Sequence, residues 1–474
     1  AGLIYHYDVK NNIRPWGKTL YIKLAKGNLK AGDQLIVSYS NMKMQTFAEH
    51  RHTYKVLVDA FATCDYAEIM KSPSFAVVAS KPDRLTAVLP TVRKPGEPFR
   101  LCVRADDIWG NPTALPDTTL QFSSTLPIEG LPSQVTVISD QDVTDSANRS
   151  DTASKQETDN TAGGESYRDG NPAEAAAGQK ADQSATERTS DLGGDQNSND
   201  GTVFLNGLSC RKTGDLVISV RIGDGSLPSV SSNPLRITEQ PEYNLYWADL
   251  HGQSEETIGT NTIHDYFSFG RDKAFLDACS HQGNDFQITK AFWETVQKTT
   301  RKFNDSGRFV TFPGYEYSAN TNLGGDHNIY YKNEGETLHR SSHALVPDLS
   351  DADTDCYTVD QLYKSLAGKE VFVYAHVGGR YANIPYPVEQ DVPFAVEIHS
   401  DWGTFEWLLF DALELGKRVG IVANSDGHKG KPGASLPGRS IFGSSGGLTC
   451  FLCSELSRDE IFKALFFFND TATT

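Results

Sequence analysis

Six short apolar runs in the second half of the chain each lead into a side chain that could bind a metal ion. The side chains that follow these runs are His251, His281, Glu316, His376, His399 and the pair Asp426 and His428. Imidazole and carboxylate groups are common ligands of zinc, manganese and iron in proteins. One histidine after a strand is usually a hydrogen-bonded surface residue, but six such positions together favour a metal centre at strand ends.

The ligand candidates fall into two groups. The primary group is His251, His281, Glu316, His376, Asp426 and His428. The second group is Asp249, Gln253, His327 and His399. Asp426 and His428 lie two residues apart just beyond one strand, where both can turn toward one site, and Glu316 could bridge two ions. Two ions about 3.5–4 Å apart would lower the pKa of a bound water and stabilise both oxygens of a hydrolytic displacement.

Other residues near these runs carry groups that could serve a hydrolytic reaction. His327 or His399 is expected to move protons, because imidazole titrates near neutral pH. Arg380 and Arg439 lie in loops that follow ligand candidates, and either guanidinium could bind a phosphate through two hydrogen bonds. Lys429 is placed similarly. A solvated loop position is the alternative for each of these basic side chains.

Strands and helices alternate through residues 241–465, which predicts a largely parallel sheet. Helical patterns cover residues 265–275, 289–303, 358–366, 404–415 and 457–465. Ligand candidates that follow several different strands favour a closed or distorted α/β barrel, in which the strand ends surround one site. An open doubly wound sheet is the alternative, although it would collect its ligands at one switch point.

The first half of the chain has a different pattern. Short strand-like runs separated by proline and glycine turns fill residues 1–139 and 201–240, which predicts one or two all-β sandwich modules. Residues 140–200 are rich in acidic, small and polar residues, so we expect a disordered insert. The amino-acid sequence of residues 466–474 is unlike that of the rest of the chain. We expect these residues to be a non-native tail that follows a barrel truncated at its C-terminus.

Composition and charge disfavour several classes of protein. A formal net charge of −17 over 474 residues argues against nucleic-acid and anionic-membrane partners, which need basic surfaces. No apolar run approaches the ~20 residues of a membrane-spanning helix. The seven cysteines are scattered and do not form a disulfide framework. The expected partner is therefore a small-molecule substrate, whereas the sequence indicates neither the compartment nor the oligomeric state.

Taken together, the motifs resemble the polymerase and histidinol phosphatase (PHP) superfamily. The resemblance follows the order Asp249-Leu250-His251-x-Gln253-Ser254, His281, Gly314-x-Glu316, Ala375-His376 and Asn424-Ser425-Asp426-x-His428. More closely, the chain resembles a PHP-like branch labelled only as a domain of unknown function, in which a phrase like Trp247-Ala248-Asp249-Leu250-His251-Gly252-Gln253-Ser254 opens the domain. The resemblance covers about residues 240–465.

The resemblance implies a distorted, TIM-like barrel of seven βα units with two or three zinc, manganese or iron ions that hydrolyses phosphoesters. It assigns the metal ligands to the primary group given above. PHP proteins usually have His-x-His in the first motif, whereas Gln253 stands at the second position here. Glutamine is a neutral and weaker ligand, so a third ion is in doubt.

The function expected from the sequence is that of a metal-dependent hydrolase acting on a small, phosphorylated substrate. Two alternatives stay open. The same ions could hydrolyse a carboxyl ester, a carbamate or an amide, because a metal centre activates water for each of them. The chain could also be a non-catalytic β-sandwich binding module joined to a degenerate barrel, a hypothesis that Gln253 favours slightly.

Overall fold

The structure is a computed structural model of the chain. It describes residues 2–9, 18–138, 201–386, 392, 394–434, 444–467 and 470–473. The acidic insert predicted at residues 140–200 and the predicted anion-binding Arg439 lie outside the described residues. The described part is mostly β-strand with five α-helices, and its strands form separate sheets in two regions. None of the helices it contains is long and apolar enough to cross a bilayer.

The N-terminal part of the chain begins with three two-stranded antiparallel sheets. They pair β1 (Gly2–Asp8) with β2 (Thr19–Lys26), β3 (Glu49–Thr53) with β6 (Ser74–Val77), and β4 (Leu57–Val58) with β5 (Ala67–Glu68). Large apolar side chains such as Ile36, Phe61 and Met70 are exposed here. The buried hydrophobic clusters of the molecule begin only at Leu85.

The next ten strands form the N-terminal β module, defined here as the described residues between 82 and 237. They are β7 (Pro82–Val88), β8 (Val92–Arg93), β9 (Phe99–Asp107), β10 (Thr118–Ser124), β11 (Gln134–Val137), β12 (Thr202–Leu208), β13 (Gly214–Leu216), β14 (Ile218–Ile222), β15 (Val230–Ser231) and β16 (Leu235–Ile237). They form three sheets, in the orders β12-β9-β7, β11-β10-β14-β15 and β13-β16-β8. Alternating residues such as Leu101, Val103 and Val220 meet in one core. This all-β region agrees with the sequence prediction.

The C-terminal region, residues 244–467 where described, contains the predicted metal ligands. Its strands are β17 (Asn244–Asp249), β18 (Ala278–Ser280), β19 (Val310–Phe312), β20 (Gly314–Ser318), β21 (Asp326–Tyr331), β22 (Val371–Ala375), β23 (Phe394–Ser400), β24 (Gly403–Thr404), β25 (Gly420–Ala423) and β26 (Leu448–Cys453), followed by β27 (Asp470–Thr473). One sheet has the order β19-β18-β17-β26-β27. The other has the order β20-β21-β22-β23-β24, with β25 also paired to β23. The non-native origin of the last residues stays a prediction.

All five helices predicted in this region are present. They are α1 (Ile263–Asp272), α2 (Lys290–Phe303), α3 (Val359–Leu366), α4 (Glu406–Glu414) and α5 (Arg458–Phe467). Side-chain caps explain where two of them begin. The hydroxyl of Thr262 accepts a hydrogen bond from the backbone N–H of Asp265, and Thr358 caps α3 through Gln361 in the same way.

The closed TIM-like barrel of seven βα units is not found among the described residues; the strands of the C-terminal region form two sheets instead. β17, β18 and β19 run parallel, as do β22, β23 and β25, so part of the expected pattern is present. However, β26 is antiparallel to β17, and β20 and β21 are antiparallel to each other. Pro313 lies between β19 and β20 in the chain. Because proline has no N–H group to donate, the backbone hydrogen bonding of one strand does not continue through this residue into the other.

Candidate metal centre

His251 lies just beyond the C-terminal end of β17 and is fully buried. Its Nδ1 lies 3.2 and 3.1 Å from the two carboxylate oxygens of Glu397 in β23. Its Nε2 faces Asp426 Oδ1 at 3.3 Å and Glu316 Oε2 at 3.7 Å, yet makes no hydrogen bond to described residues. A carboxylate that holds one ring nitrogen typically orients the other toward a metal ion. His251 therefore has the orientation of a metal ligand.

Glu316 in β20 directs its two oxygens toward two different histidines. Oε2 is 3.7 Å from Nε2 of His251, and Oε1 is 3.8 Å from Nε2 of His376. His376, directly after β22, is fully buried, and neither of its ring nitrogens makes a hydrogen bond within the described part of the chain. The two imidazole rings are 4.6 Å apart. This is the arrangement expected of a carboxylate that bridges two ions.

Asp426 belongs to the turn that follows β25, and its backbone φ is 50°. This left-handed conformation is uncommon for residues other than glycine, and strained backbone of this kind is often kept at functional sites. A parallel bridge between Gly252 and Gly427 holds the turn against the end of β17. From there Asp426 Oδ1 approaches His251 Nε2 at 3.3 Å and His428 Nε2 at 3.9 Å.

Three overlapping groups of buried side chains bring ligand atoms within 4.8 Å of one another. The groups are His251 with Glu316 and Asp426, Glu316 with Asp326 and His376, and His251 with His376 and Glu397. The first two groups share Glu316, so they could hold two neighbouring ions. Their mixture of imidazole nitrogen and carboxylate oxygen suits zinc, manganese or iron.

The charges in the cluster also favour a cation. Burial would raise the pKa of Glu316, but its contacts with His251 and His376 lower that pKa to about 2. Burial lowers the pKa of His376 to about 3, so its ring is neutral at pH 7, which is the form that binds metals. Burial acts to lower the pKa of His251 as well, but the charges of Asp426 and Glu397 raise it well above its ordinary value. Burial and the charge of Glu316 raise the pKa of Asp326 to about 8, and burial raises the pKa of Asp426 well above its ordinary value, so divalent ions bound there would displace protons from these two carboxyl groups.

Asp249, predicted as a second-group ligand, accepts hydrogen bonds from three backbone N–H groups. Its Oδ1 accepts hydrogen bonds from the N–H groups of Ser425 at 2.9 Å and His251 at 3.3 Å. Its Oδ2 accepts one from the N–H of Gly433 at 2.7 Å. The buried carboxylate therefore ties the end of β17 to the loop that contains Asp426, and its role as a metal ligand stays a prediction.

Gln253, the departure from the PHP pattern, contacts the bridging carboxylate directly. Its Nε2 donates to Glu316 Oε2 at 3.1 Å and to Asn284 Oδ1 at 3.2 Å. Its Oε1 accepts a hydrogen bond from the hydroxyl of Thr257 at 2.8 Å. Gln253 thus turns its amide nitrogen toward Glu316 and orients that carboxylate, and its role as a metal ligand stays a prediction.

His281 follows β18 as predicted, but it belongs to none of the three groups. Its Nε2 lies 2.8 Å from the hydroxyl of Ser254, and its ring packs edge-on against Tyr266 and Phe292. Burial lowers its pKa to about 3, and its Nδ1 makes no hydrogen bond to the described residues. The structure therefore buries this predicted ligand beside the cluster rather than within it.

His327, one of the two predicted proton shuttles, lies on the face of β21 opposite to Asp326, as alternation along a strand requires. Its Nδ1 is 3.1 Å from the carbonyl oxygen of Gly325, and its ring packs near Tyr363 and Phe394. Burial lowers its pKa to about 4. These contacts are those of a core histidine.

His399, the other predicted shuttle, has both ring nitrogens engaged. Nδ1 is 2.8 Å from the hydroxyl of Thr404, and Nε2 is 2.9 Å from the carbonyl oxygen of Ser445. The pairing of β23 with β25 shifts register between Glu397 and His399. Such a bulge redirects side chains, which explains why residues two apart do not both face the cluster.

Two residues of the cluster, Glu397 and Asp326, were not predicted. Glu397 interrupts the apolar run of β23, and an acid inside a buried strand must be paired, so a signal was present in the sequence. Besides facing His251, Glu397 accepts a hydrogen bond from Asn424 at 2.8 Å. Asp326 had no comparable signal, because it opens β21 after two glycines.

Arg380, predicted to bind an anion, lies at the edge of the cluster. Its Nε donates to Asp326 Oδ1 at 2.9 Å, and its backbone N–H donates to Oδ2 of the same carboxylate at 2.8 Å. Its guanidinium lies over the ring of Phe286, 5.1 Å from the centroid. The side chain is partly exposed. A guanidinium fixed in this way can still bind an anion next to Glu316 and His376.

Comparison with known proteins places the chain near families without an assigned function. Residues 225–384 match a family described as "Protein of unknown function (DUF3604)". The chain is 26% identical over 272 residues to an uncharacterized protein of Chlamydia pneumoniae, covering 51% of this chain and 41% of that protein. It is 22% identical over 313 residues to an uncharacterized protein of Chlamydia trachomatis, covering 58% and 46%. The chain thus spans less than half the length of these relatives.

One solved structure also aligns with the chain, but only weakly. A beta-glucuronidase of Parabacteroides merdae aligns with a TM-score of 0.17 and 9% identity, over 39% of this chain and 16% of that one. So low a score carries no argument about fold or function. The match to a family of unknown function agrees with the expected branch, whereas the wider relationship to the PHP superfamily stays a prediction.

Proposed function

We propose that the chain is a metal-dependent hydrolase whose substrates are phosphoesters. The observation that carries the proposal is a cluster of buried imidazole and carboxylate groups in which His251 Nε2, both ring nitrogens of His376 and Asp426 Oδ1 make no hydrogen bond to the described residues. A buried polar atom without a partner costs about 1–3 kcal/mol. Several such atoms around one point are therefore best explained by ions that bind there.

The residues divide naturally between two ions. His251 and Asp426 would hold one, His376 and Asp326 the other, and Glu316 would contact both through its separate oxygens. Ions bound there would supply Lewis-acid chemistry, polarising a phosphoryl oxygen and lowering the pKa of a water molecule. The order of these residues along the chain, rather than barrel closure, supports the likeness to PHP enzymes.

The surrounding residues would orient the ligands and the substrate. Glu397 fixes the ring of His251 through Nδ1, and Gln253 fixes Glu316. Arg380 favours a phosphoester over a carboxyl ester, because a planar guanidinium matches the paired oxygens of a phosphoryl group. Its hydrogen bond to Asp326 keeps that guanidinium next to the second group of ligands.

The test is hydrolysis of nitrophenyl phosphate and nitrophenyl acetate by protein stripped with a chelator and then reconstituted with manganese or zinc. We expect turnover of the phosphoester that requires the metal and is lost in Asp426→Ala. His264→Ala is the matched control, because His264 is exposed on α1, away from the cluster. Metal-dependent cleavage of the acetate alone would favour a carboxyl esterase. Bound metal without cleavage of either ester would favour a binding module.

A further inference from the structure

The carboxylate of Glu316 is held at both of its oxygens by neutral side chains. Gln253 Nε2 donates to Oε2 at 3.1 Å, and the hydroxyl of Ser318 donates to Oε1 at 3.1 Å. Gln253 lies in the loop after β17, whereas Ser318 is the last residue of β20. Two donors from different parts of the chain therefore restrain the same carboxylate, one at each oxygen.

Asn284 connects these two donors to each other. Its Oδ1 accepts a hydrogen bond from Gln253 Nε2 at 3.2 Å, and its Nδ2 donates to the hydroxyl oxygen of Ser318 at 3.1 Å. The four side chains thus form a closed ring of hydrogen bonds, called here the Glu316 network: Glu316, Gln253, Asn284 and Ser318. None of their side-chain nitrogens or oxygens is buried without a hydrogen-bond partner.

The direction of each hydrogen bond in the Glu316 network follows from its neighbours. Gln253 Oε1 accepts from the hydroxyl of Thr257 at 2.8 Å, so the amide of Gln253 turns its N–H groups toward Glu316 and Asn284. Asn284 receives one of these N–H groups at Oδ1 and presents its own Nδ2 to Ser318, whose hydroxyl proton is left for Glu316. The network therefore donates to both oxygens of Glu316, as an ionised carboxylate that can only accept requires.

The backbone around the Glu316 network is held as well. The four side chains are each no more than 5% exposed. A parallel bridge joins Asn284 to Glu316, and the N–H of Glu316 donates to the carbonyl oxygen of Gly283 at 2.9 Å. The N–H of Ser318 donates to Asp285 Oδ1 at 3.1 Å. Buried polar networks that are fully satisfied in this way rigidify the side chains that form them.

The Glu316 network leaves both carboxylate oxygens able to bind ions. A carboxylate oxygen offers about two acceptor positions, and the network uses one on each oxygen. Oε2 still faces His251 and Oε1 still faces His376, at 3.7 and 3.8 Å from their Nε2 atoms. A carboxylate free to rotate could instead turn both oxygens toward one ion. The network opposes that rotation, because it would break the hydrogen bond to Gln253 or to Ser318.

We propose that Asn284 and Ser318 are positioning residues which, together with Gln253, fix Glu316 in the orientation that bridges two ions. The inference rests on the proposed function, which uses two ions about 3.5–4 Å apart, and it extends that function to side chains that do not bind the ions themselves. Asn284 and Ser318 act only through the carboxylate, by preventing it from binding a single ion with both oxygens.

The first test is electron paramagnetic resonance of protein loaded with two equivalents of manganese. Two manganese ions that share a bridging carboxylate are magnetically coupled, so their spectrum differs from that of separate ions. We expect a coupled spectrum in wild type and in Ser318→Thr, which keeps the hydroxyl, and a coupling that is weakened or lost in Ser318→Ala. Ser232→Ala is the matched control, because Ser232 is also buried and hydrogen-bonded but lies in the N-terminal β module.

The second test measures the affinity for each manganese equivalent by competition with a chelating dye. We expect the second equivalent to bind about 10–100-fold more weakly in Ser318→Ala, the range for residues that orient a metal ligand, and as tightly as in wild type in Ser232→Ala. Asn284→Ala should change the coupling and the affinity in the same direction, and it decides the matter if Ser318→Ala does not fold. Unchanged coupling and affinity in the folded variants would overturn the inference.

The outcomes separate this inference from the proposed function. Coupled manganese ions whose coupling depends on Ser318, in a protein that hydrolyses no phosphoester, would support the inference and contradict the proposed function. Metal-dependent hydrolysis with equal coupling in wild type and Ser318→Ala would overturn the inference and leave the proposed function intact. A wild-type protein that binds two manganese ions without coupling between them would also overturn the inference.

Discussion

The two regions of the molecule treat their buried polar side chains differently. In the N-terminal β module, Arg104 makes two hydrogen bonds to Asp106, at 2.7 and 3.1 Å. No buried side-chain nitrogen or oxygen in the described residues before His251 lacks a hydrogen-bond partner. In the C-terminal region, His251 Nε2, Asp426 Oδ1 and both nitrogens of His376 are buried without one.

The contrast is between polar groups that hydrogen-bond within the fold and a cluster in which several buried polar atoms do not. Both regions bury charged residues, so burial alone does not identify a site. In the C-terminal cluster, His251 Nε2 lies 3.3 Å from Asp426 Oδ1 and 3.7 Å from Glu316 Oε2, and His376 Nε2 lies 3.8 Å from Glu316 Oε1, without a hydrogen bond within any of these pairs. Such an arrangement is unfavourable on its own and favourable around a cation.

The largest expected effect is on turnover. His376→Ala removes a buried ligand atom from the cluster, so we expect metal-dependent phosphoester hydrolysis to fall by roughly three orders of magnitude or more. The fold should persist, because neither nitrogen of His376 makes a hydrogen bond that the described structure depends on. Steady-state kinetics and circular dichroism would check both points. Activity close to that of wild type would remove His376 from the centre.

The next effect is on stability and concerns the other region. Asn111→Ala removes the side-chain bonds to Thr46, Ala48 and Lys431 from a buried position. We expect the free energy of unfolding to fall by about 2–4 kcal/mol, at roughly 1 kcal/mol for each hydrogen bond. Metal content per folded chain should stay the same. Denaturant unfolding would measure the stability of Asn111→Ala, and elemental analysis would measure its metal content. If the variant lost metal but kept its stability, Asn111 would belong to the metal centre rather than to the fold.

A smaller effect is expected where a polar side chain only orients a ligand. Glu397→Gln keeps the size of the side chain but weakens its hold on His251 Nδ1. We expect the affinity for zinc or manganese to fall about 10–100-fold, as for other outer-shell carboxylates, without unfolding. Competition with a chelating dye would measure it. Unchanged affinity would show that Glu397 does not orient the ligand.

The smallest effect near pH 7 is a change in pH dependence, because it develops only in acid. Burial lowers the pKa of His327 to about 4, whereas an unfolded chain has a histidine pKa near 6.5. Between these values the unfolded chain binds a proton that the folded chain does not, so stability falls as the pH falls from about 6.5 to 4. His327→Gln should flatten this acid limb by up to roughly 3 kcal/mol, at about 1.4 kcal/mol per pKa unit. The free energy of unfolding of wild type and His327→Gln would be measured with denaturant at pH 5 and pH 7.5. An equal loss of that free energy between the two pH values in both proteins would contradict the prediction.

The structure brings four of the predicted ligands together, whereas their function as metal ligands stays a prediction. The four residues follow apolar runs of the sequence, and this local pattern was sufficient to predict that they lie close together. They are His251, Glu316, His376 and Asp426. The roles of other residues depended on non-local pairing. The bulge at β23 redirects His399, and alternation within β21 places His327 in the core while Asp326 joins the cluster.

The topology could not be read from the same signals. Local sequence patterns located all five helices, four of which have a Ser or Thr side chain that caps the first turn. It did not reveal that β26 pairs antiparallel to β17 or that β20 and β21 form an antiparallel pair. Strand pairing is decided by contacts between distant segments, which leave little trace in local composition. The expectation of a closed barrel failed for this reason.

The central claim is that the buried C-terminal cluster binds ions, and elemental analysis tests it most directly. The protein would be purified without chelators, reconstituted with zinc, manganese or iron, and freed of excess metal before measurement. The account predicts about two equivalents per folded chain, as in two-metal hydrolases, and a clear loss in Asp426→Ala but not in His264→Ala. A well-folded wild-type protein that retains less than about a few tenths of an equivalent of every metal would contradict it.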